Sequence, residues 1–404
     1  MTKTGALALG ILVLAAYAAQ AQISDNVVRI GVLNDQSGVF ADSTGPGSVV
    51  AAKMAAADFG DKVAGARIEI ISADHLNKPD VGSSIAREWF DEKGVDAIAD
   101  LGNSAVALAV QEVAKTRNKA ILLSAGGSTA FTGKACTPIT VQWTYDTWAS
   151  ANAIAAPLVK SGKDTWFFIT ADYTFGHDLE SSSRSIVEAS GGKVVGDVMH
   201  PLNTADFASF VLQAQASKAK VVAFANGGDD TLRGIKQAHE FQLDKSGQVI
   251  AGLSALIGDV HALGLEAAQG LFVAEPFYWD LYDQTRKWAE RWSKLDGHNR
   301  MPGMMQAGVY SVIMDYLRAV AATKSDAGKT VVDEMKKTPV NDPLFGHVSV
   351  RPDGRAIHNF YQFQVKSPAE SKGPWDHYKL VATVPPDQAF RPMSEGGCPM
   401  VASK

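Results

Sequence analysis

The stretch Val27–Gly47, VVRIGVLNDQSGVFADSTGPG, decides the fold. Val28–Leu33 is an aliphatic, β-branched run of the kind buried on both faces of a sheet. Asn34 to Phe40 is a polar turn carrying Gly38, and Pro46, well suited to a first helical position, opens a helix of small residues. Strand, turn and helix in this order begin a βαβ unit. In a cytosolic chain that geometry would first suggest nucleotide phosphate at a helix N-terminus, but Gly45-Pro46-Gly47 lacks the spacing of a dinucleotide fingerprint.

The preceding residues give the stretch another meaning. Met1–Ala21 carries Lys3, then an apolar run from about Ala6 to Ala18, then Ala19-Gln20-Ala21 in the pattern of a cleavage site. A cleavable signal peptide over residues 1–21 is expected, with a mature start at Gln22 and a soluble periplasmic product; an uncleaved anchor is the alternative. The run falls short of the roughly 20 apolar residues a bilayer span needs. No cysteine at the cleavage site offers a lipid attachment point.

The formal net charge of the 404-residue chain is -5, and loss of a leader whose only charge is Lys3 makes it more negative. This argues against nucleic acid or an anionic membrane as partner. The length exceeds what one core usually supports, so two domains are expected. No Cys/His cluster has zinc-type spacing, the nine histidines are scattered, and His239-Glu240 lacks the second histidine of a metalloprotease helix. Neither a cofactor nor a metal is expected. The two cysteines, Cys136 and Cys398, are expected to form one disulfide tying the C-terminal tail, 391–404, to the body.

From Val28 onward, short strand-like runs alternate with amphipathic stretches of ten or more residues. The rhythm covers Arg67–Ala73, Ala97–Asp100 and Ala120–Leu123, then resumes after Tyr145 with Thr165–Thr170, Lys193–Met199, Val221–Ala225, Val249–Leu253 and Leu271–Glu275. Such alternation demands parallel sheets with helices on both faces, so the fold class is α/β with two doubly wound parallel-sheet units. His347–Val350 and Asn359–Val365 read as antiparallel strands about the Asp353-Gly354 turn, closing one unit's sheet. In open α/β sheets ligands collect at the carboxyl ends of strands. That rule selects Asn34–Phe40, Gly102–Ser104, Ser124–Ser128, Ala171–Phe175, Asn226–Asp230 and Ser254–Ile257, segments rich in Ser, Asn, Gly and aromatics.

Enzyme motifs are approached and missed. Between Gly127 and Gly133-Lys134 stand five residues where a phosphate loop has four, and Ala135 replaces its Ser/Thr. Gly102-Asn103-Ser104-Ala105 starts like a nucleophile elbow, yet Val106 holds the place of the second glycine. Ser104 is better read as a helix N-cap or as a ligand donor at that helix end. No second carboxylate is placed opposite Asp229-Asp230.

Signal peptide, RIGVLNDQSGVFADSTGPG, ISADH, GNSAVALAV, SAGGSTAFTG, TADYTFGHDL and FANGGDD, in this order and spacing, resemble the Leu/Ile/Val-binding-protein family across nearly the whole mature chain. These are substrate-binding components of branched-chain amino-acid-type ABC transporters. The resemblance implies two lobes joined by three crossovers around a ligand cleft, with 27–146 plus 276–345 as lobe one and 147–275 plus 346–390 as lobe two. It implies a monomer that is not an enzyme, binds a small carboxylate-bearing solute and meets an inner-membrane permease. It assigns the solute carboxylate to Asn103, Ser104, Gly126, Gly127 and Ser128, where hydroxyls and helix-end amides suit an anion.

Gln36, Ser37 and Phe40 match the family's cleft edge, and Tyr173 and Phe175 its aromatic lid. Asn226 lies at the lobe-two rim. Where amino-acid binders of the family carry an acid for the ligand ammonium, this chain has Ser254; Asp229 is the nearest alternative. Trp143 and Tyr145, at a lobe crossing with Phe277, Tyr278 and Trp279, suit a flat ligand or pack the hinge. Two solute classes follow: an aliphatic amino acid paired with Asp229, or an aromatic or small organic acid needing no such partner, which the missing acid and the aromatics favour. A periplasmic sensor of the same fold, signalling to a regulatory partner, is the alternative function. An exported hydrolase would need a nucleophile and base that these loops do not supply.

Overall fold

A computed structural model describes residues 23–401; the expected signal peptide and the last three residues of the tail lie outside the described residues. The opening strand, β1 (Val27–Asn34), is central to a six-stranded sheet. Around it lie β2 (Lys62–Val63), β3 (Ala66–Asp74), β4 (Ala97–Asp100), β5 (Ala120–Leu123) and β6 (Thr140–Gln142), in the order β2-β3-β1-β4-β5-β6. β1 pairs in parallel with both β3 and β4. Val28, Ile30 and Val32 pack with helices Gly45–Phe59 and Met304–Thr323, whereas Leu33 packs with Pro79–Asp91 and Ser104–Thr116. Burial alternates over Val27–Ile30, where Arg29 stands on the more open side, and is complete from Ile30 to Asn34, where the strand is covered on both faces. Gly31 stands in this covered segment because a Cβ there would lie 2.2 Å from the Trp89 ring.

The second lobe repeats the plan with β7 (Thr165–Ala171), β8 (Lys193–His200), β9 (Val221–Ala225) and β10 (Val249–Gly252), ordered β10-β9-β7-β8 and parallel throughout. Trp166 and Phe168 face helices Thr147–Lys160 and Thr174–Ala189; Phe167 and Ile169 face Ala208–Ala216 and Asp229–Glu240. The molecule is therefore α/β, with two doubly wound parallel sheets and a cleft between them.

The chain returns toward the first lobe after β11 (Phe272–Glu275) and then forms β12 (Val340–Asp342), β13 (Gly346–Val350), β14 (Ala356–Ile357), β15 (Phe360–Val365) and β16 (Tyr378–Val384). The tail strands do not form the single hairpin expected of them. β13 pairs with β12 and β14, and Arg355 bridges to Gln142 at the edge of the first sheet, so residues 346–357 pack on the first lobe. β15 instead pairs with β11 and β16. The strand run about Asp353-Gly354 is thus divided between the lobes, and its midpoint forms the third crossover.

That crossover is pinned by Arg355, which is fully buried. Its guanidinium donates to the carbonyls of Tyr145 (2.6 Å) and Trp143 (3.1 Å), and its Nε to that of Ala356 (2.9 Å). Its face lies 4.3 Å from the Phe390 ring centre, and burial lowers its pKa to about 10. The first and third crossovers are thereby tied by charge-assisted hydrogen bonds in a dry setting.

Cys136 and Cys398 are joined in a disulfide across 262 residues of sequence. A cross-link closing so long a loop stabilises mainly by restricting the unfolded chain. Replacing both cysteines by serine is expected to lower unfolding stability by about 2–5 kcal/mol, read as a lower denaturant midpoint. An unchanged midpoint would show that the bridge contributes nothing to the fold.

Candidate functional site

The site is organised by a buried carboxylate at the strand ends. Asp100, the last residue of β4, accepts from Asn34 Nδ2 at 2.9 Å and from Ser124 Oγ at 2.8 Å; Asn34 Nδ2 also reaches the Gly45 carbonyl at 2.8 Å. One carboxylate so ties the ends of β1, β4 and β5. Burial pushes its pKa up, opposed by the donors of Asn34, Ser48 and Ser124. Asp100 and Leu101 both take left-handed backbone (φ 79° and 55°), a costly turn for residues other than glycine that delivers Gly102 to the cleft. The next loop is shaped by Asp35, whose carboxylate accepts from the amides of Gly38 (2.7 Å) and Phe40 (2.9 Å) and from Asn77 Nδ2 (2.6 Å).

Phe40 and Tyr145 then meet Tyr173 and Phe175 across the cleft. Ring centres lie 6.3 Å apart for Phe40 and Tyr173, 6.3 Å for Tyr145 and Phe175, and 6.0 Å for Tyr173 and Phe175. With Leu256, Met305 and Ser254 they surround a cavity of about 20 Å³, room for about one water molecule. Its lining contains no Lys, Arg, His, Asp or Glu. Tyr145 is anchored by its hydroxyl to the Ala125 carbonyl at 3.1 Å. Among the described residues no hydrogen-bond partner faces the Ser254 hydroxyl, the Tyr173 hydroxyl, or the amides of Gly126 and Gly127. Gly127 is required by the rings, since a Cβ would lie 2.6 Å from Tyr145 and 2.8 Å from Phe175.

The lobes are closed on one another. The Asp229 amide donates to the Val39 carbonyl at 3.1 Å. Gly228, at φ +61°, lets the loops approach so far that a Cβ would sit 2.2 Å from the Val39 oxygen. Beside this contact, Asp178 of the second lobe accepts from the amide and hydroxyl of Thr129, at 2.6 and 2.9 Å.

The residues expected from sequence divide into three groups. Phe40, Tyr145, Tyr173, Phe175 and Ser254 line the cavity. Gly126 and Gly127 lie behind the rings, the Gly126 carbonyl held by Gln142 Nε2 at 2.9 Å. The others lie away from the cavity, most of them engaged elsewhere. Ser37 donates to Asp74 at 2.6 Å on the exposed side of its loop, and Gln36 does not reach the cavity wall. Asn103 caps its helix through the amides of Ala105 and Val106. Ser104 Oγ accepts the Ser128 amide at 3.3 Å, and Ser128 Oγ caps the turn at Ala130.

Trp143 is core, donating to Ser311 at 2.8 Å. Asn226 is locked between Thr231 (2.7 Å) and His200 (3.3 Å). Asp229 pairs with Arg233 at 3.0 Å and faces a neighbouring cavity. Leu256, Gly102 and Ala125 fall in segments that the strand-end rule selects. Thr44 and Met305 do not; Thr44 lies within the opening stretch, just beyond the Asn34–Phe40 turn, and no local motif marks Met305.

Two further acids lie outside the aromatic box, Glu275 buried and Asp259 half-buried. Asp259 accepts the Leu256 amide at 2.9 Å, and Glu275 accepts the Tyr378 hydroxyl at 2.9 Å. Burial raises both to about 8. Among the described residues no group of three or more His, Cys, Asp or Glu is placed to hold a metal ion.

Residues 27–374 match the model of the periplasmic binding protein family, and the chain belongs to that family. A periplasmic binding protein from Burkholderia mallei is 44% identical and superposes with a TM-score of 0.91, covering 93% of this chain and 100% of its own. A branched chain amino acid ABC transporter periplasmic ligand-binding protein from Burkholderia xenovorans LB400 is 38% identical, with a TM-score of 0.82 over 92% of this chain and 99% of its own. The Leu/Ile/Val-binding protein homolog 6 of Brucella melitensis is 28% identical over 375 residues, 90% of this chain and 93% of that protein. These relatives are binding proteins, and the chain is a binding protein rather than an enzyme.

Two outcomes follow from the geometry. Gly228→Ala adds a side chain where the Val39 oxygen stands and strains a left-handed residue by about 1 kcal/mol. Solute affinity is expected to fall at least tenfold, with solute-induced compaction lost in small-angle scattering; full compaction would remove Gly228 from the closing contact. Glu275 has a raised folded-state pKa, so between the ordinary carboxylate range and about 8 the folded chain keeps a proton that the unfolded chain has lost. Its contribution is complete below the unfolded value and is lost as pH rises through that window. Glu275→Gln is expected to flatten the decline of the urea midpoint between pH 5 and pH 8; an undiminished decline would refute this.

Proposed function

We propose that this chain is the exported solute-binding component of an ABC importer, capturing a small aromatic carboxylic acid by lobe closure and presenting it to a membrane permease. The observation that carries the solute class is the box of four aromatic rings, two from each lobe, with no charged side chain in its lining. A planar ring inserted between them touches both lobes at once, and such contacts shift the population toward the closed state. The free amides of Gly126 and Gly127 support a carboxylate near the strand ends without a cationic side chain. An amino acid would bring an ammonium group as well. A buried cation without a counter-charge is costly, and Asp229 is already paired with Arg233.

The leader at Met1–Ala21 supports export to the periplasm and cleavage before Gln22. Among the described residues no helix is long and apolar enough to cross a membrane. The mature chain acts as a monomer in this reading, since ligand and both lobes come from one chain.

A thermal-shift screen of the mature protein against benzoate, hydroxybenzoates, leucine, isoleucine and valine tests the solute class. Aromatic acids are expected to raise the melting temperature by mass-action stabilisation of the native state. A rise with the aliphatic amino acids alone would overturn it. Ser254→Asp, which places an acid in the box, is expected to weaken aromatic-acid binding by more than tenfold, about 1.4 kcal/mol. Titration calorimetry reads that change, and an unaltered affinity would exclude Ser254 from the solute's surroundings.

A further inference from the structure

A second cavity adjoins the aromatic box and is far larger, about 130 Å³ against about 20 Å³. A chamber of roughly this size accommodates a benzene-sized group, whereas the box in its closed form does not. The two share Ser43, Gly228, Leu256 and Met305 as a common wall. Both lie between the lobes: Trp292 and Met301 come from the first, Leu232 and Ile257 from the second. Anything seated in the larger chamber is therefore also enclosed by closure.

Its chemistry differs from that of the box. Trp292, Trp375, Met301 and Met304 make it apolar over much of its wall, while Asp42, Asp229 and Asp259 lie along it. The single guanidinium there, Arg300, is engaged on both sides, by Asp42 at 2.7 Å and by Asp296 at 2.8 and 2.9 Å. Asp229 is engaged by Arg233. Asp259 has no cationic partner among the described residues, and its Oδ2 accepts only the Leu256 amide. The chamber therefore favours apolar bulk ending in a hydrogen-bond donor, and the surplus of carboxyl groups disfavours an anion.

We propose that this chamber is a distal subsite for the solute, taking the far end of an elongated aryl monocarboxylic acid whose terminus is an amine or hydroxyl rather than a second carboxylate. The inference rests on the solute-binding reading above and extends it. The carboxylate end is directed at the Gly126–Gly127 backbone behind the rings, the ring enters the box while the lobes are open and holds its walls apart, and the substituent reaches across the Ser43–Met305 wall. Asp259 then meets the terminal donor. Its carboxyl, held near 8 by burial, ionises readily once a cation arrives beside it.

Titration calorimetry on the full mature chain tests the subsite with benzoate, 4-(3-aminopropyl)benzoate and 4-(3-carboxypropyl)benzoate. The amine is expected to bind at least tenfold tighter than benzoate, and the diacid no tighter than benzoate. Ala262→Trp, at an exposed position on the chamber wall, is expected to bring the amine-to-benzoate affinity ratio close to one. Asp259→Asn is expected to reduce that ratio at least threefold while keeping the side-chain shape. A ratio near one in the parent protein overturns the subsite while leaving aromatic-acid binding intact. A ratio that survives both variants overturns the placement. Failure of all three acids to bind overturns the solute class and the subsite together.

Discussion

The Asp100 carboxylate is the contact on which the cleft depends. It holds Asn34 and Ser124, and through them the ends of three neighbouring strands, at one buried point. Parallel strands leave their carboxyl-end loops with little else to fix them, because each loop runs directly away into a helix on one face or the other. A buried hydrogen-bonded acid supplies that constraint at a strength water could not offer. The loops carrying Phe40, Gly102 and Gly127 are placed relative to one another before any solute arrives.

Architecture was legible because short apolar strand runs and longer amphipathic stretches follow one another in a regular order. β1 shows why: Val28, Ile30, Val32 and Leu33 admit only a strand covered on both faces, and the helices that cover it follow in order. The strand-end rule then located most of the cleft segments. Which side chain within a segment faces the cavity was not legible, because local backbone demand competes for the same residues. Asn103, Ser104 and Ser128 have the right chemistry for a ligand, yet their oxygens are taken by amides at a helix start and a turn. Met305 carries no signal at all; it reaches the cavity because the chain returns to the first lobe far along the sequence. The tail divided as it did because Arg355 draws residues 346–357 onto the first sheet, and a buried arginine satisfied by carbonyls leaves no spacing pattern to read.

The two lobes turn about crossovers that are themselves stiff. Arg355 binds two of them together, with His358 adding a bond of 3.0 Å to the Trp143 carbonyl. Tyr145 follows directly from one of those crossovers and projects into the aromatic box. The Tyr145 ring is thus mounted on the hinge, and a change in lobe angle moves it with respect to Tyr173 and Phe175. The shape of the aromatic box and the position of the hinge are two views of one coordinate.

The contact of Gly228 with Val39 involves only main-chain atoms and a missing side chain. It adds no side chain to the aromatic box, whose wall Gly228 joins with backbone alone. The stopping point of closure is consequently written in backbone, and the walls of the aromatic box in the side chains of Ser254, Leu256, Met305 and the rings. Substitutions at the latter positions alter the walls of the box while the closed outline, the shape another protein would read, stays the same.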